Sequence, residues 1–175
     1  VSSWQAQRQD ERRRREKVRD VQLALRAEIT SDLIILQVPD REAFLEEVSA
    51  HYRADREYSP VIPTLSRNVV FDSILGDLPV LPASVIGPVI HYARLRQTLD
   101  QFIADMRSPS FTELSAERQL IMYSDYLGMQ GRLEELAKNA LVALELSLSS
   151  SDAAPPSRGS AWGAGGASAE QSASP

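Results

Sequence analysis

From Ala6 to Gln37 the chain has neither glycine nor proline, and Val18, Val21, Leu25, Ile29, Leu33 and Leu36 follow one another in steps of three and four. That period predicts one long amphipathic helix, roughly 45 Å at about 1.5 Å per residue. Its first three turns carry no apolar stripe, so solvent or an outside partner has to cover them. Val38-Pro39-Asp40 breaks the pattern, and Asp40 is placed to cap a second helix with Phe44, Leu45 and Val48 on one face. The prolines at 60 and 63 rule out helix through YSPVIPTLSRN, which is predicted to be an extended connection. In NVVFDSILGDLPVLP, Val70, Phe71, Ile74 and Leu75 suit two or three helical turns, ended by Gly76 and by Pro79 and Pro82. A helix that short needs neighbours in order to exist.

Pro82 suits the first turn of the next helix, where a missing N–H is harmless. Val85, Val89, Tyr92, Leu95, Leu99, Phe102 and Met106 give that helix a near-heptad stripe, with Pro88 early enough to be tolerated. SPSF stops it. Ser115 is placed to cap a last long helix carrying Leu120, Tyr123, Leu127, Leu133, Leu136, Ala140, Leu141 and Leu144. On that helix Gly128 and Gly131 either weaken it or let a neighbour approach closely. After Ser149 the residues are almost all Ser, Ala, Gly and Pro, with Trp162 the one large apolar group, so a disordered tail is expected. The predicted fold is all-α: an antiparallel helical bundle with three long and two short helices. Its divisions are 1–17, a basic juxtamembrane-like helix start; 18–149, the bundle; and 150–175, the tail.

The 175 residues suit one ordinary domain plus tails. Hydrophobic residues are 43% and charged residues 25% of the chain, a globular profile, and no stretch approaches the roughly 18 apolar residues of a membrane span. The chain has no cysteine, which excludes disulfides, thiolate nucleophiles and thiolate metal sites. A net charge of −5 conceals an asymmetry. Residues 8–19 hold seven basic and three acidic side chains, a local +4, so the rest of the chain sums to −5 − 4 = −9. A general nucleic-acid binder would spread positive charge over its folded surface as well.

Candidate chemistry is sparse. Glu47, His51 and Asp55 at i, i+4 and i+8 share a helical face with a spacing a metal could use, but a solvated face fits better. His91 has Gly87 and Leu95 at i±4 and no acidic neighbour there, so a partly buried structural histidine is expected. No serine stands in a Gly-x-Ser-x-Gly turn, and the glycines form neither a phosphate loop nor a dinucleotide fingerprint. The carboxylate pairs Glu134–Glu135 and Asp72–Asp77 are what helix surfaces ordinarily carry. Tyr92, Phe102, Tyr123 and Tyr126 fit core packing better than a ligand cavity. No catalytic residue, metal site or cofactor is expected, and the chain is not expected to be an enzyme.

Trp4, Arg8, Arg12, Arg13, Arg14, Arg15, Lys17 and Arg19 remain as the candidate site, a contact for a membrane or another polyanion. A DNA-reading basic region would lead into a zipper with leucines every seven residues, and the stripe from Val18 to Leu36 is mixed. A solvated helix start with i, i+4 pairs such as Asp10–Arg14 and Glu11–Arg15 is the plain alternative. An aromatic followed by clustered arginines is what the cytoplasmic, water-facing end of a membrane helix carries, and a first residue other than methionine fits a piece of a longer protein.

The runs KVRDVQLALRAEI, VLPASVIGPVIHYARL and DMRSPSFTELSAERQLIMYSDYL resemble a group of small uncharacterised alphaproteobacterial proteins in which one N-terminal membrane helix precedes a basic stretch and a helical domain. The resemblance spans roughly residues 10–145, in helix-packing and turn patterns, and this chain departs from it by lacking the membrane helix. It implies a location and a fold, and no activity or site residue. The expected function is a non-catalytic, membrane-tethered helical module on the cytoplasmic side. It would work by binding an unidentified protein partner or by self-association, with an anionic membrane surface as a further contact. The alternative is a nucleic-acid-binding accessory protein using the basic helix. For the connections bearing Val61, Ile62, Val80 and Leu81, plugging the bundle is expected over contacting a partner.

Overall fold

The computed structural model describes residues 3–55 and 57–152. The order along the chain is α1 (Ser3–Leu36), α2 (Arg41–Ala54), α3 (Val69–Ile74), a 3₁₀ stretch (Leu75–Val80), α4 (Ala83–Met106), α5 (Pro109–Thr112) and α6 (Ala116–Asp152). No strand occurs among the described residues. The three long helices and two shorter ones read from the sequence are present. To them are added the 3₁₀ stretch and the single turn α5, which Pro109 begins by supplying a preset φ inside the SPSF stop. α6 runs three residues past Ser149, and the Ser150 and Ser151 hydroxyls bond back to the carbonyls of Leu146 (2.8 Å) and Ser147 (3.0 Å). The rest of the predicted tail, 153–175, lies outside the described residues.

Asp40 caps α2 by accepting from the Ala43 N–H at 2.8 Å. Ser115 caps α6, its hydroxyl 3.3 Å from the Arg118 nitrogen. Arg41 forms the elbow between α1 and α2. Its guanidinium donates to the Leu36 carbonyl at 2.8 Å, satisfying an end-of-helix acceptor, and to Glu134 at 2.6 Å. The group crosses α6 at Gly131, 3.6 Å from where a β-carbon would stand, an ordinary van der Waals distance that leaves room for one.

α6 packs along α4 and α1, and α2 continues the α1 column along the rest of α6. Lys17 meets Asp77 and Asp32 meets Tyr92, so α1 and α4 run in the same sense, while α6 runs opposite to both. The proline-rich segment between α2 and α4 descends beside α1. It is pinned at three levels: Ser66 to Asp32, the Val70 and Phe71 N–H groups to Glu28 (both 2.8 Å), and Asp77 to Lys17 (2.7 Å). Glu28 thereby serves the free donors at the start of α3, a helix too short to stand alone.

Most buried positions follow an alternation of fours and threes, with Val21, Ala93, Leu127 and Leu148 buried beside it. On α4 the alternation takes Val85, Val89, Tyr92, Arg96, Leu99, Ile103 and Met106; on α6, Gln119, Tyr123, Tyr126, Gln130, Leu133, Ala137, Ala140 and Leu144. On α1 the same frame takes Gln22, Leu25, Ile29, Asp32 and Leu36. This 3.5-residue repeat is that of helices packed side chain into hole. The apolar stripe read from the sequence strays from it at Val21 and Leu127, which are buried, and at Leu33, Leu95, Phe102, Leu120, Leu136 and Leu141, all half-buried at the margin of the core. His91 is likewise corrected: it is exposed, because it lies outside the heptad frame, one residue round the helix from the buried Tyr92. Ile62 and Leu81 plug the bundle, whereas Val61 is 87% exposed.

Candidate functional site

Every residue from Ser3 to Lys17 is exposed, so the first four turns of α1 present charge to solvent around their whole circumference. Arg8, Arg12, Arg15, Arg19 and Arg26 nevertheless fall on one line. At about 100° per residue they occupy roughly 60° of arc, a quarter turn from the buried face, and extend for about 27 Å. Arg26, also exposed, is the member that inspection of residues 1–19 missed, although its place in the 4-3-4-7 spacing was readable. Trp4 lies at the edge of the same face, with the Arg8 guanidinium carbon 3.8 Å from its ring centroid, a cation–π contact. Asp10, Glu16 and Asp20 fall off the line. Glu11 flanks it and approaches Arg15 at 3.9 Å, the predicted i, i+4 pair. Arg13, Arg14 and Lys17 point from other sides of the helix, and Lys17 is held by Asp77. Of the eight predicted contact residues, Trp4, Arg8, Arg12, Arg15 and Arg19 are therefore brought together and three are not.

A second charged centre lies at the other end of α1 and was missed entirely. Asp32 and Arg96 each occupy a core position of their heptad frame, with side chains only 3% and 2% exposed. Arg96 Nε donates to Asp32 Oδ2 at 2.5 Å, and the Tyr92 hydroxyl donates to the same oxygen. The guanidinium also donates to the Ser66 carbonyl and, at 3.0 Å, to Asp100, while the Ser66 hydroxyl lies 3.3 Å from Asp32. Burial opposes the charge on Arg96, but the hydrogen bonds and charge of Asp32 outweigh it and raise the guanidinium pKa. Burial and then the bond to Asp32 push the Tyr92 phenol far above its usual range. Burial also raises the Asp100 carboxyl, with Arg96 opposing and Asp32 adding to the shift. A hollow of about 490 Å³ opens beside this cluster, between the return segment and α4. Arg96, Asp100 and Ser66 face it together with Arg67, Asn68, Asp72 and Gln97, while Asp32 and Tyr92 do not line it; the bonded cluster clamps α1, α4 and the return segment.

The remaining candidates resolve into packing. His51 stacks on Tyr58 with centroids 4.9 Å apart, and its Nε2 is 3.9 Å from Glu47. Asp55 accepts from the Glu57 N–H in a turn. Among the described residues no group of three or more His, Asp or Glu side chains is arranged to hold a metal ion. Tyr123 and Tyr126 pack 5.6 Å apart, Tyr126 accepts from Gln130 at 2.7 Å, and Tyr52 donates to Gln119 at 2.8 Å. Burial raises the Tyr52 and Tyr123 phenols to about 12, so both stay neutral in ordinary buffers. An uncharged groove of about 350 Å³ lies at the α1–α2 elbow, where Ile35, Phe44 and Val61 are exposed beside Tyr123 and Leu127. No helix among the described residues is long and apolar enough to cross a membrane.

No family model matches the chain, and no curated protein or solved structure is significantly similar to it.

Proposed function

We propose that this is a non-catalytic helical module held at the cytoplasmic face of an anionic membrane, where it works by binding a protein partner or by self-association. One observation carries the reading: five arginines aligned on one face of a helix whose first four turns are exposed. A flat anionic surface is the partner that engages such a line at once, each basic side chain near it contributing roughly 1 kcal/mol, with Trp4 at the interface. For the described residues the attachment lies along the surface. The resemblance to proteins whose basic stretch follows a membrane helix supports the same placement. The non-catalytic part rests on the sequence, which offers no nucleophile or ligand motif, and on the structural bonds that occupy the buried Asp32, Tyr92 and Arg96.

The test is co-sedimentation with phosphatidylserine-containing and neutral vesicles across a salt series, beside retention on double-stranded DNA. Two double variants remove the same charge from different faces: Arg12→Gln/Arg15→Gln on the line and Arg13→Gln/Arg14→Gln off it. The on-line pair is expected to weaken anionic-vesicle binding by on the order of 30-fold, and the off-line pair by much less. Equal losses, no preference for anionic vesicles, or tighter salt-dependent retention on DNA would overturn the reading, the last in favour of phosphate-backbone binding.

A further inference from the structure

The hollow of about 490 Å³ beside the buried clamp falls within the size range of small-molecule sites, and its walls carry both signs of charge. Arg67 and Asp72 line it from the return segment and α3; both are exposed, and among the described residues neither side chain makes an ion pair or hydrogen bond. The fold holds them apart. Arg67 follows Ser66, which is tied to Arg96 and Asp32, whereas Asp72 follows Phe71, whose N–H is tied to Glu28 one turn earlier on α1, about 6 Å along the axis. On the α4 side stands Arg96, its side chain only 2% exposed. A guanidinium carries five N–H groups. Four of those on Arg96 are taken, by the two Asp32 oxygens, the Ser66 carbonyl and Asp100, and the fifth, on Nη1, has no acceptor among the described residues. The half-buried Leu65 and Phe71 and the buried Ala93 supply an apolar wall.

We propose that this hollow binds a small zwitterion, an α-amino acid with an apolar side chain. Its carboxylate accepts from Arg67 and from the spare Nη1–H of Arg96, its ammonium donates to Asp72, and its side chain lies against Leu65, Phe71 and Ala93. Charge selects the class. A simple anion would meet Asp72 and Asp100, a simple cation would meet Arg67 and Arg96, and a neutral apolar ligand would strip water from all four without replacing it. A molecule carrying both signs a few ångströms apart answers the unpaired groups together. Exposed charges are ordinarily no more than solvated; the buried unused donor and the apolar wall in the same hollow set these two apart. The charge of Arg96 stays with Asp32 throughout, so the clamp is unaltered and only the spare donor is engaged.

The experiment is isothermal titration calorimetry of the full chain with L-leucine, beside leucinamide, which lacks the carboxylate, N-acetyl-L-leucine, which lacks the ammonium, and inorganic phosphate. L-Leucine is expected to bind with a Kd of about 1 mM or tighter, so that about 10 mM raises the melting temperature by about 3–5 °C. The two analogues and phosphate should each bind at least about tenfold more weakly. Arg67→Gln and Asp72→Asn, at exposed positions without bonded side chains, should each weaken L-leucine binding by about tenfold or more while leaving circular dichroism and the ligand-free melting temperature unchanged. The proposal is overturned by the absence of both heat and thermal shift with L-leucine, by analogues or phosphate that bind as well as it does, or by variants that retain its affinity. Should either variant fail to fold, the comparison of ligands on the wild type still decides. No lipid enters any of these measurements, so the outcome is independent of the membrane reading.

Discussion

Arg12 and Arg96 are the same side chain in two solvents. Arg12 stands in water on the first turns of α1, where its charge is available to whatever approaches. Arg96 is sealed between α1, α4 and the return segment, where every partner is another part of the chain. A charge left in water costs the fold nothing and gives it nothing, which makes it usable for binding. Once buried, a charge is expensive unless paired, so it specifies one alignment of the helices and is lost to function. The molecule separates the two environments along a single helix: arginines open to solvent at the start of α1 and Asp32, the anchor of the buried pair, near its end.

The contrast breaks first at Asp32. Asp32→Ala leaves the buried Arg96 guanidinium with the partly exposed Asp100 as its remaining counter-ion and strips the Tyr92 hydroxyl of its acceptor, and should cost about 3–5 kcal/mol in urea unfolding. Replacing both partners by apolar residues, as in Asp32→Leu/Arg96→Met, should cost less than either single removal, since no orphan charge remains. A double variant worse than both singles would show that the pair contributes net stability. Leu99, fully buried one turn along the same frame, should lose about 2–5 kcal/mol on change to Ala, and the half-buried Leu136 distinctly less. Equal losses would mean that the marginal leucines, and not the heptad positions, hold the bundle.

Glu134 occupies the intermediate case, 14% exposed and shared between Lys138 and Arg41 at 2.6 Å each. The bonds from Lys138 and then Arg41 hold its carboxyl below the usual glutamate value. A lowered folded-state pKa contributes stability that is present above the unfolded value and lost as pH falls through the folded one. The wild type should therefore lose more melting temperature than Glu134→Gln on acidification below about pH 4.5. Near neutrality the substitution should cost about 1 kcal/mol, a figure reduced for the exposure of Lys138. Parallel acid profiles for the two proteins would remove Glu134 from the elbow's electrostatics.

Much of this architecture was legible and its charged centre was not, for one physical reason. The helices, the Asp40 and Ser115 caps and the extended proline segment follow from period, caps and φ restriction, all local in sequence. Apolar identity then drew the core stripe to Leu95 and Phe102, whereas the strict four-three alternation runs through Arg96 and Ile103. Asp32 was passed over for Leu33 in the same way. Gln22, Asp32, Arg96, Gln119 and Gln130, the buried polar residues of the described chain, all stand on heptad positions. A polar residue in a core frame is a sign of a partner elsewhere in the chain, but sequence periodicity does not say which. Only packing brings Asp32 to Arg96, 64 residues apart. The basic line was visible as composition, and its one-sidedness appears once α1 is known to stay helical from Ser3.

The smallest expected effect tests the other half of the contrast. Changing Arg12, Arg13, Arg14 and Arg15 together to Gln removes four charges, four times what Asp32→Ala removes, yet should shift stability by no more than about 0.5 kcal/mol. These side chains are exposed, and the Glu11–Arg15 approach at 3.9 Å is of a kind worth a few tenths of a kcal/mol at most. Four like charges in four consecutive positions also repel one another, so their removal can raise helix stability slightly and offset the lost pair. Thermal unfolding of this variant beside Asp32→Ala weighs location against number. A large fall in melting temperature for the quadruple variant would mean that the arginines at the start of α1 are spent on the fold, and a helix whose charge is already spent has none to offer a membrane.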